Sequence, residues 1–153
     1  MKILYFDIDG TILRGDEGEV KTALGAGAFE VAIRDAGIER LVCVGNFGAI
    51  ASGMKVLEIE YDTLGVLFRL CGGAFRDEAW LRARTIVIDD PQRRADHIDF
   101  TGDWWYADDL APYYLRQSGR AELLERHLGG RILTPEPSGD GRDVLEWLRR
   151  SAG

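Results

Sequence analysis

A chain of 153 residues, 46% of them hydrophobic, is of the size for one domain with a real core. Its 26 acidic and 19 basic residues give a formal net charge of −7, which argues against a general nucleic-acid binder, because such a protein shows a basic stripe. Two histidines and two cysteines without a paired-Cys motif argue against a zinc site.

The first predicted element lies in "ILYFDIDGT" (3–11). Ile3, Leu4, Tyr5 and Phe6 read as a strand buried on both faces. A strand has period two, so Asp7 and Asp9 project from the same side at its carboxyl end. Carboxylates that close repel unless a cation or a shared proton offsets them. An acidic Gly-rich loop, "RGDEGEV" (14–20), follows. Residues 22–36 read as a helix: Thr22 caps it, Leu24, Ala28, Val31 and Ala32 share a face, and Gly37 ends it. "ERLVCVGN" (39–46) holds a second short strand that runs into Gly45 and Asn46. Residues 47–71 fit a helical stripe (Met54, Leu57, Tyr61, Leu64, Phe68), although Leu57, Ile59 and Tyr61 also alternate as a strand would; the helix is preferred.

Residues 76–83 read as a short helix. "TIVIDD" (85–90) repeats the opening logic, an apolar run into carboxylates, with Pro91 as a breaker. Residues 91–106 read as irregular, ending in "GDWWY". Helices are expected near 108–117 and 120–128, a last short strand in "GRILTPEP", and an amphipathic helix in "DGRDVLEWLRR" with Arg149 and Arg150 near its C-terminus.

Strands alternating with helices predict a single α/β domain over 1–153, with a mainly parallel sheet covered on both faces. Ligands of such sheets bind beyond the carboxyl ends of the strands. Three predicted strands end in Asp7/Asp9, Gly45/Asn46 and Asp89/Asp90. Carboxylates converging on one rim suit Mg²⁺, which takes oxygen ligands, keeps several waters and works with phosphate. A carboxylate can also attack phosphorus, with a second acid to protonate the leaving group and later activate water.

"YFDIDGTIL" resembles the first motif of the haloacid dehalogenase-like hydrolases, apolar residues followed by Asp-x-Asp-Gly-Thr, and the order of elements extends the likeness over most of the chain. The resemblance implies a Rossmann-like three-layer sandwich and a phosphatase that works through an aspartyl-phosphate. It makes Asp7 the nucleophile and Asp9 the acid/base that also touches the metal. Gly10 and Thr11 make a sharp turn and offer donors to phosphate. "TIVIDD" resembles the family's acidic fourth motif and makes Asp89 and Asp90 metal-side ligands. "TGDWWYADD" offers a rival fourth motif at Asp103 and Asp108; Asp89 and Asp90 are preferred because Ile86, Val87 and Ile88 make the better buried strand. The family's second motif ends in Ser or Thr, where this chain has Gly45 and Asn46; Asn46 can donate to phosphate through its amide. For the third motif, a Lys or Arg, the choice stays open among Lys55, Arg69, Arg76, Arg82 and Arg84.

Plainer readings stand beside these. Trp104, Trp105 and Tyr106 read as core or interface packing before a substrate mouth. Asp108 and Asp109 read as a helix N-terminus, and His97 and His127 as surface residues. The spacers are too short for a substantial cap domain, so the resemblance to uncapped members implies a macromolecular phosphate ester, or a small one enclosed by a partner subunit of a homo-oligomer. The second hypothesis is a catalytically degenerate metal- or protein-binding module, and the third a receiver-like phosphoacceptor, against which Gly-Thr after Asp9 argues. No membrane partner is expected: no segment approaches spanning length and the N-terminal apolar run is too short for a signal peptide. Cys43 and Cys71 in apolar settings point to a reduced, cytoplasmic chain.

Overall fold

The computed structural model describes residues 1–14, 19–20, 22–45, 63–70, 73–88 and 90–152. The opening apolar run forms β1 (Lys2–Phe6), which lies at the centre of a sheet. On one side it pairs in parallel with β4 (Arg40–Cys43), which pairs with β5 (Thr85–Val87). On the other side it pairs with β6 (Asp103–Ala107), which pairs with β7 (Ile132–Leu133). The order is β5-β4-β1-β6-β7, all parallel, and β2 (Leu13–Arg14) and β3 (Glu19–Val20) form a separate antiparallel pair.

The pleat divides the core in two. Leu4 and Phe6 of β1, Leu41 and Cys43 of β4, and Ala107 of β6 pack into one cluster, under α1 (Ala28–Asp35) and the C-terminal helix α6 (Arg142–Ser151). Tyr5, Val42, Trp104 and Tyr106 point the other way, toward a 3₁₀ segment (Pro91–His97), α4 (Ala111–Gln117) and α5 (Glu122–His127). Each fully buried Leu, Ile or Phe contributes roughly 1.5–3 kcal/mol relative to its exposed state, which holds the two layers against the sheet. The fold is therefore a Rossmann-like α/β sandwich, as the alternation predicts. Among the described residues no helix is long and apolar enough to cross a membrane.

Two elements differ from expectation. The predicted helix at 22–36 divides into a 3₁₀ turn (Thr22–Leu24) and α1, because Gly25 and Gly27 interrupt the run between them. The stretch 91–106, read as irregular, holds both the 3₁₀ segment and β6, a direct neighbour of the central strand. Aromatic residues favour strands, but Trp104, Trp105 and Tyr106 face both core layers, so no polar alternation marks them as one. The other helices, α2 (Thr63–Leu70) and α3 (Glu78–Arg84), fall inside their predicted spans or within a residue of them; residues 47–62, the ambiguous part, lie outside the described residues.

One buried cation fixes the loop that leaves β1. Arg14 is 2% exposed. Its guanidinium donates to Thr11 O at 2.9 Å, to Glu136 O at 3.0 Å and to Asp143 Oδ1 at 3.0 Å. The other oxygen of Asp143 accepts from the Glu136 amide. The turn after Asp9 is thereby tied to the first turn of α6, across 129 residues of sequence.

Candidate active site

Asp7 is the first residue beyond β1, and its amide donates to Ala107 O at the end of β6. That register sets the ends of the two central strands side by side and brings Asp108 and Asp109 to Asp7. Carboxylate oxygens of these three residues lie within 4.8 Å of one another. Asp7 is 4% exposed and Asp108 fully buried.

Bare charges packed this way would be unstable. The offsetting group is Arg94, from the 3₁₀ segment, itself 4% exposed. Its Nη1 donates to Asp7 Oδ1 at 2.9 Å and to Asp108 Oδ2 at 3.0 Å, while Nε donates to Pro91 O at 2.8 Å. The guanidinium lies 4.0 Å from the centre of the Tyr114 ring, a contact that a planar cation makes well. Asp108 is satisfied on both oxygens: Oδ2 also accepts from the Tyr106 hydroxyl at 2.7 Å, and Oδ1 accepts from the Leu110 amide at 2.9 Å.

Two glycines leave room for this packing. A β-carbon on Gly45, at the end of β4, would overlap Asp7 Oδ1. A β-carbon on Gly10 would overlap the Asp109 carboxylate, and Gly10 also has φ +80°, a conformation that glycine adopts without a side-chain penalty. Gly45→Ala should therefore displace Asp7 from Arg94. The expected result is a loss of roughly 1–3 kcal/mol in urea unfolding, with Gly102→Ala, whose β-carbon would meet nothing within 4 Å, as the control for alanine at an uncrowded glycine.

The carboxylates push one another's protonation upward. Asp7 is held well above the ordinary carboxylate range by burial first and by the Asp108 charge second; Arg94 opposes this, and a hydrogen bond to Asp109 adds to it. Burial also raises Asp109, although its hydrogen bond from Asp7 pulls the other way. Asp9, half-buried on the turn, is raised by burial and then by the Asp109 charge. For Arg94, burial lowers the pKa but Asp7 and Asp108 more than reverse that, so it stays charged. Burial raises the Cys43 thiol beneath the site to about 12, with the Asp7 charge adding to the effect.

The donor set fits a hard cation. The carboxylates of Asp7, Asp108 and Asp109 form the set, although both oxygens of Asp108 already accept hydrogen bonds, and an all-carboxylate set of this kind suits Mg²⁺. The linkage has a definite sign. An acid whose folded pKa is raised binds more protons folded than unfolded, so stability falls as pH rises from the unfolded carboxylate range through the folded values. In EDTA the thermal midpoint should fall between pH 4 and 7. Mg²⁺ at about a hundred times its Kd should restore roughly 2.7 kcal/mol at pH 7, or about 5–10 °C, and much less at pH 4. Calorimetry with and without the ion checks this; Asp109→Asn should remove most of the shift.

The sequence-predicted residues divide as follows. Asp7 and Asp9 stand at the carboxyl edge as expected. Gly10 and Thr11 make the turn, but their amides are engaged within it, donating to Leu13 O and Ile8 O, so the donors expected to meet phosphate are used inside the loop. The Thr11 hydroxyl is buried without a partner. Asn46 and Asp89 lie outside the described residues. Asp90 does not join the cluster: it follows β5, which β4 separates from β1, and its carboxylate meets His97 at 2.8 Å. The acids beside Asp7 come instead from "TGDWWYADD", and there from Asp108 and Asp109. Asp103 sits at the opposite end of β6, level with Lys2 and paired with Arg131.

Arg94 is not among the basic residues that the sequence offers for the third motif. Of those, Arg69 and Arg76 are exposed, Arg82 pairs with Glu78, Arg84 stacks on Trp80, and Lys55 lies outside the described residues. The one signal for Arg94 was its place just before the strand that carries the second pair of acids. That signal was unreadable while the strand itself went unrecognised. No family model, curated protein or solved structure matches the chain.

Proposed function

We propose that the chain is a Mg²⁺-dependent phosphohydrolase, similar in design to the haloacid dehalogenase-like hydrolases, that cleaves a phosphate monoester through an aspartyl-phosphate on Asp7. The observation that carries this reading is the buried Asp7–Arg94–Asp108 ion triad at the carboxyl ends of the two central strands, with Asp109 against Asp7. A carboxylate that attacks phosphorus must be fixed in direction and kept ionised. Arg94 fixes its direction by gripping Oδ1, and its charge favours the ionised form against the burial that raises Asp7.

In the proposed reaction Asp7 Oδ2 forms a bond to phosphorus as the ester P–O bond breaks. Asp9 gives its proton to the departing alkoxide. Burial and the Asp109 charge raise its pKa, which favours the protonated form that this step needs. Asp9 then takes a proton from water, which attacks phosphorus and releases Asp7 and inorganic phosphate. Asp7 and Asp109, with the backbone carbonyl of Asp9, would hold Mg²⁺, which would neutralise the phosphoryl oxygens. Arg94 is assigned the tethering role of the third motif, and Asp108 and Tyr106 keep Arg94 in place.

A second reading has one observation in its favour. At Gly45, where the family carries a hydroxyl, any side chain would collide with Asp7; a metal- or protein-binding module without turnover needs no such hydroxyl. A screen of phosphate monoesters with purified protein separates the two. Release of phosphate that requires Mg²⁺ and is lost in EDTA supports the hydrolase; Mg²⁺ binding with no ester turned over supports the module.

A further inference from the structure

A second concave site lies at the other end of the sheet. The strands are parallel, so the Gly129–Gly130 turn that enters β7 and the last turn of α6 come together at the amino edge, away from Asp7. Between them is a cavity of about 120 Å³. Trp105 of β6 and Trp147 of α6 wall it, with ring centres 6.0 Å apart and planes at 68°. These walls are held in place. The Trp147 indole donates to Gly130 O, the Gly129 amide donates to Ile132 O, and the Gly130 amide donates to His127 O. At the rim the Ser151 hydroxyl donates to Trp147 O. The cavity is therefore formed in advance, apolar inside, with few polar groups at its edge, which is the design of a small-molecule site.

The charge around it is positive, in a chain whose formal net charge is −7. Arg150 lines the cavity and is exposed, and among the described residues it makes no hydrogen bond or ion pair. The Lys2 ammonium lies 4.9 Å from the centre of the Trp105 ring and donates only to carbonyls, Ala36 O and Ser151 O, so no carboxylate offsets it. Arg131 also lies 4.9 Å from that ring centre, and it is paired with Asp103. We infer that this cavity binds a single-ring aromatic carboxylate, with the ring against Trp105 and Trp147 and the carboxylate on Arg150. The size agrees: a cavity of roughly 150 Å³ encloses a whole benzene, so this smaller one takes a ring whose substituent stays at the mouth. The chemistry agrees as well. Indoles favour an aromatic ring through edge-to-face or offset contacts, and a guanidinium matches the two oxygens of a carboxylate. The inference is independent of the phosphohydrolase reading.

Titration with benzoate, followed by NMR through the indole N–H resonances of the four tryptophans, tests this on the whole chain. EDTA is present so that no metal draws the carboxylate to Asp7. Benzoate should shift the Trp105 and Trp147 signals and leave Trp80 unmoved. Benzamide keeps the ring without the charge, and acetate keeps the charge without the ring; each should bind roughly fivefold more weakly or worse. Arg150→Gln changes an exposed side chain, so the fold should survive, and benzoate should fall to the affinity of benzamide while benzamide itself is unaffected. Arg150→Lys should keep part of the preference, because an ammonium carries the charge without the planar fork. No shift of Trp105 or Trp147 with benzoate up to about 10 mM, the weak end for so small a ligand, would overturn the site. So would equal affinities for benzoate and benzamide in the wild type, or a benzoate preference that survives Arg150→Gln.

Discussion

Asp7→Asn should lower turnover of any accepted phosphate monoester by about four to six orders of magnitude, the usual scale for a covalent nucleophile that works as part of a unit. The amide keeps the shape of the carboxylate and removes the anion proposed to attack phosphorus. Folding should survive, and the thermal midpoint in EDTA at pH 7 should hold or rise. The wild type keeps Asp7 buried beside Asp108 and Asp109 with one guanidinium between Asp7 and Asp108. Removing one of three crowded acids relieves repulsion, and Arg94 retains Asp108 as a partner. Kinetics and calorimetry on the same preparation check both halves. A large loss of turnover together with a collapse of the midpoint would mean that Asp7 is structural.

Arg94→Met should do the opposite to stability. It leaves Asp7 and Asp108 buried, facing each other with no cation, and removing one partner of a buried pair typically costs about 3–5 kcal/mol. That is a large share of the roughly 5–15 kcal/mol that holds a domain folded. The loss should be greatest at neutral pH and shrink toward pH 4, because burial raises the pKa of Asp7 and its protonation removes one of the facing charges. Arg94→Lys should recover only part of it. An ammonium carries the charge, but it cannot reach Asp7, Asp108 and Pro91 O together while lying flat on Tyr114. Adding Asp108→Asn to Arg94→Met should restore part of the lost stability by removing one of the two unpaired charges. Urea unfolding of the wild type and these three variants at pH 4.5 and 7 measures this. A loss for Arg94→Met below about 1 kcal/mol would contradict the buried triad.

The sequence carried the centre of the fold better than its second half. β1 and β4 were legible because each is a run of apolar residues that ends abruptly in Asp or Gly, the mark of a strand buried on both faces. β6 was not, although it touches β1 along its whole length. It starts on Asp103, and its three aromatic residues fill both core layers, so period two left no trace in polarity. With β6 unread, the most apolar candidate, "TIVI", took its place beside the acids. The structure puts that segment at the sheet edge, where Ile86 is 43% exposed.

Strand order is a long-range property, and it decides which acids meet. Asp108 lies 101 residues from Asp7, and only the β1–β6 pairing brings them together. Arg94 was hidden for the same reason. Nothing in "PQRRADH" separates it from Arg93 beside it, which points to solvent and pairs with Asp96. The glycines show the limit from another side. Gly10 was legible as a turn residue from "DGT", whereas the need for Gly45 arises only from Asp7 filling the space a β-carbon would take.

The most direct test of the account is to look for the phosphoryl group on Asp7. Asp9→Asn removes the group proposed to activate water, so an intermediate on Asp7 should be slow to hydrolyse. An activated aryl phosphate, whose leaving group departs without a proton, should still allow it to form. The variant is mixed with such an ester and Mg²⁺, quenched in acid, digested, and its peptides read by tandem mass spectrometry. The expected result is a phosphoryl adduct on the peptide that spans "YFDIDGT", located at Asp7, absent in EDTA and absent in the Asp7→Asn, Asp9→Asn double variant. Turnover of the ester by the wild type with the adduct on another residue, or with none on Asp7 in the Asp9→Asn protein, would contradict it.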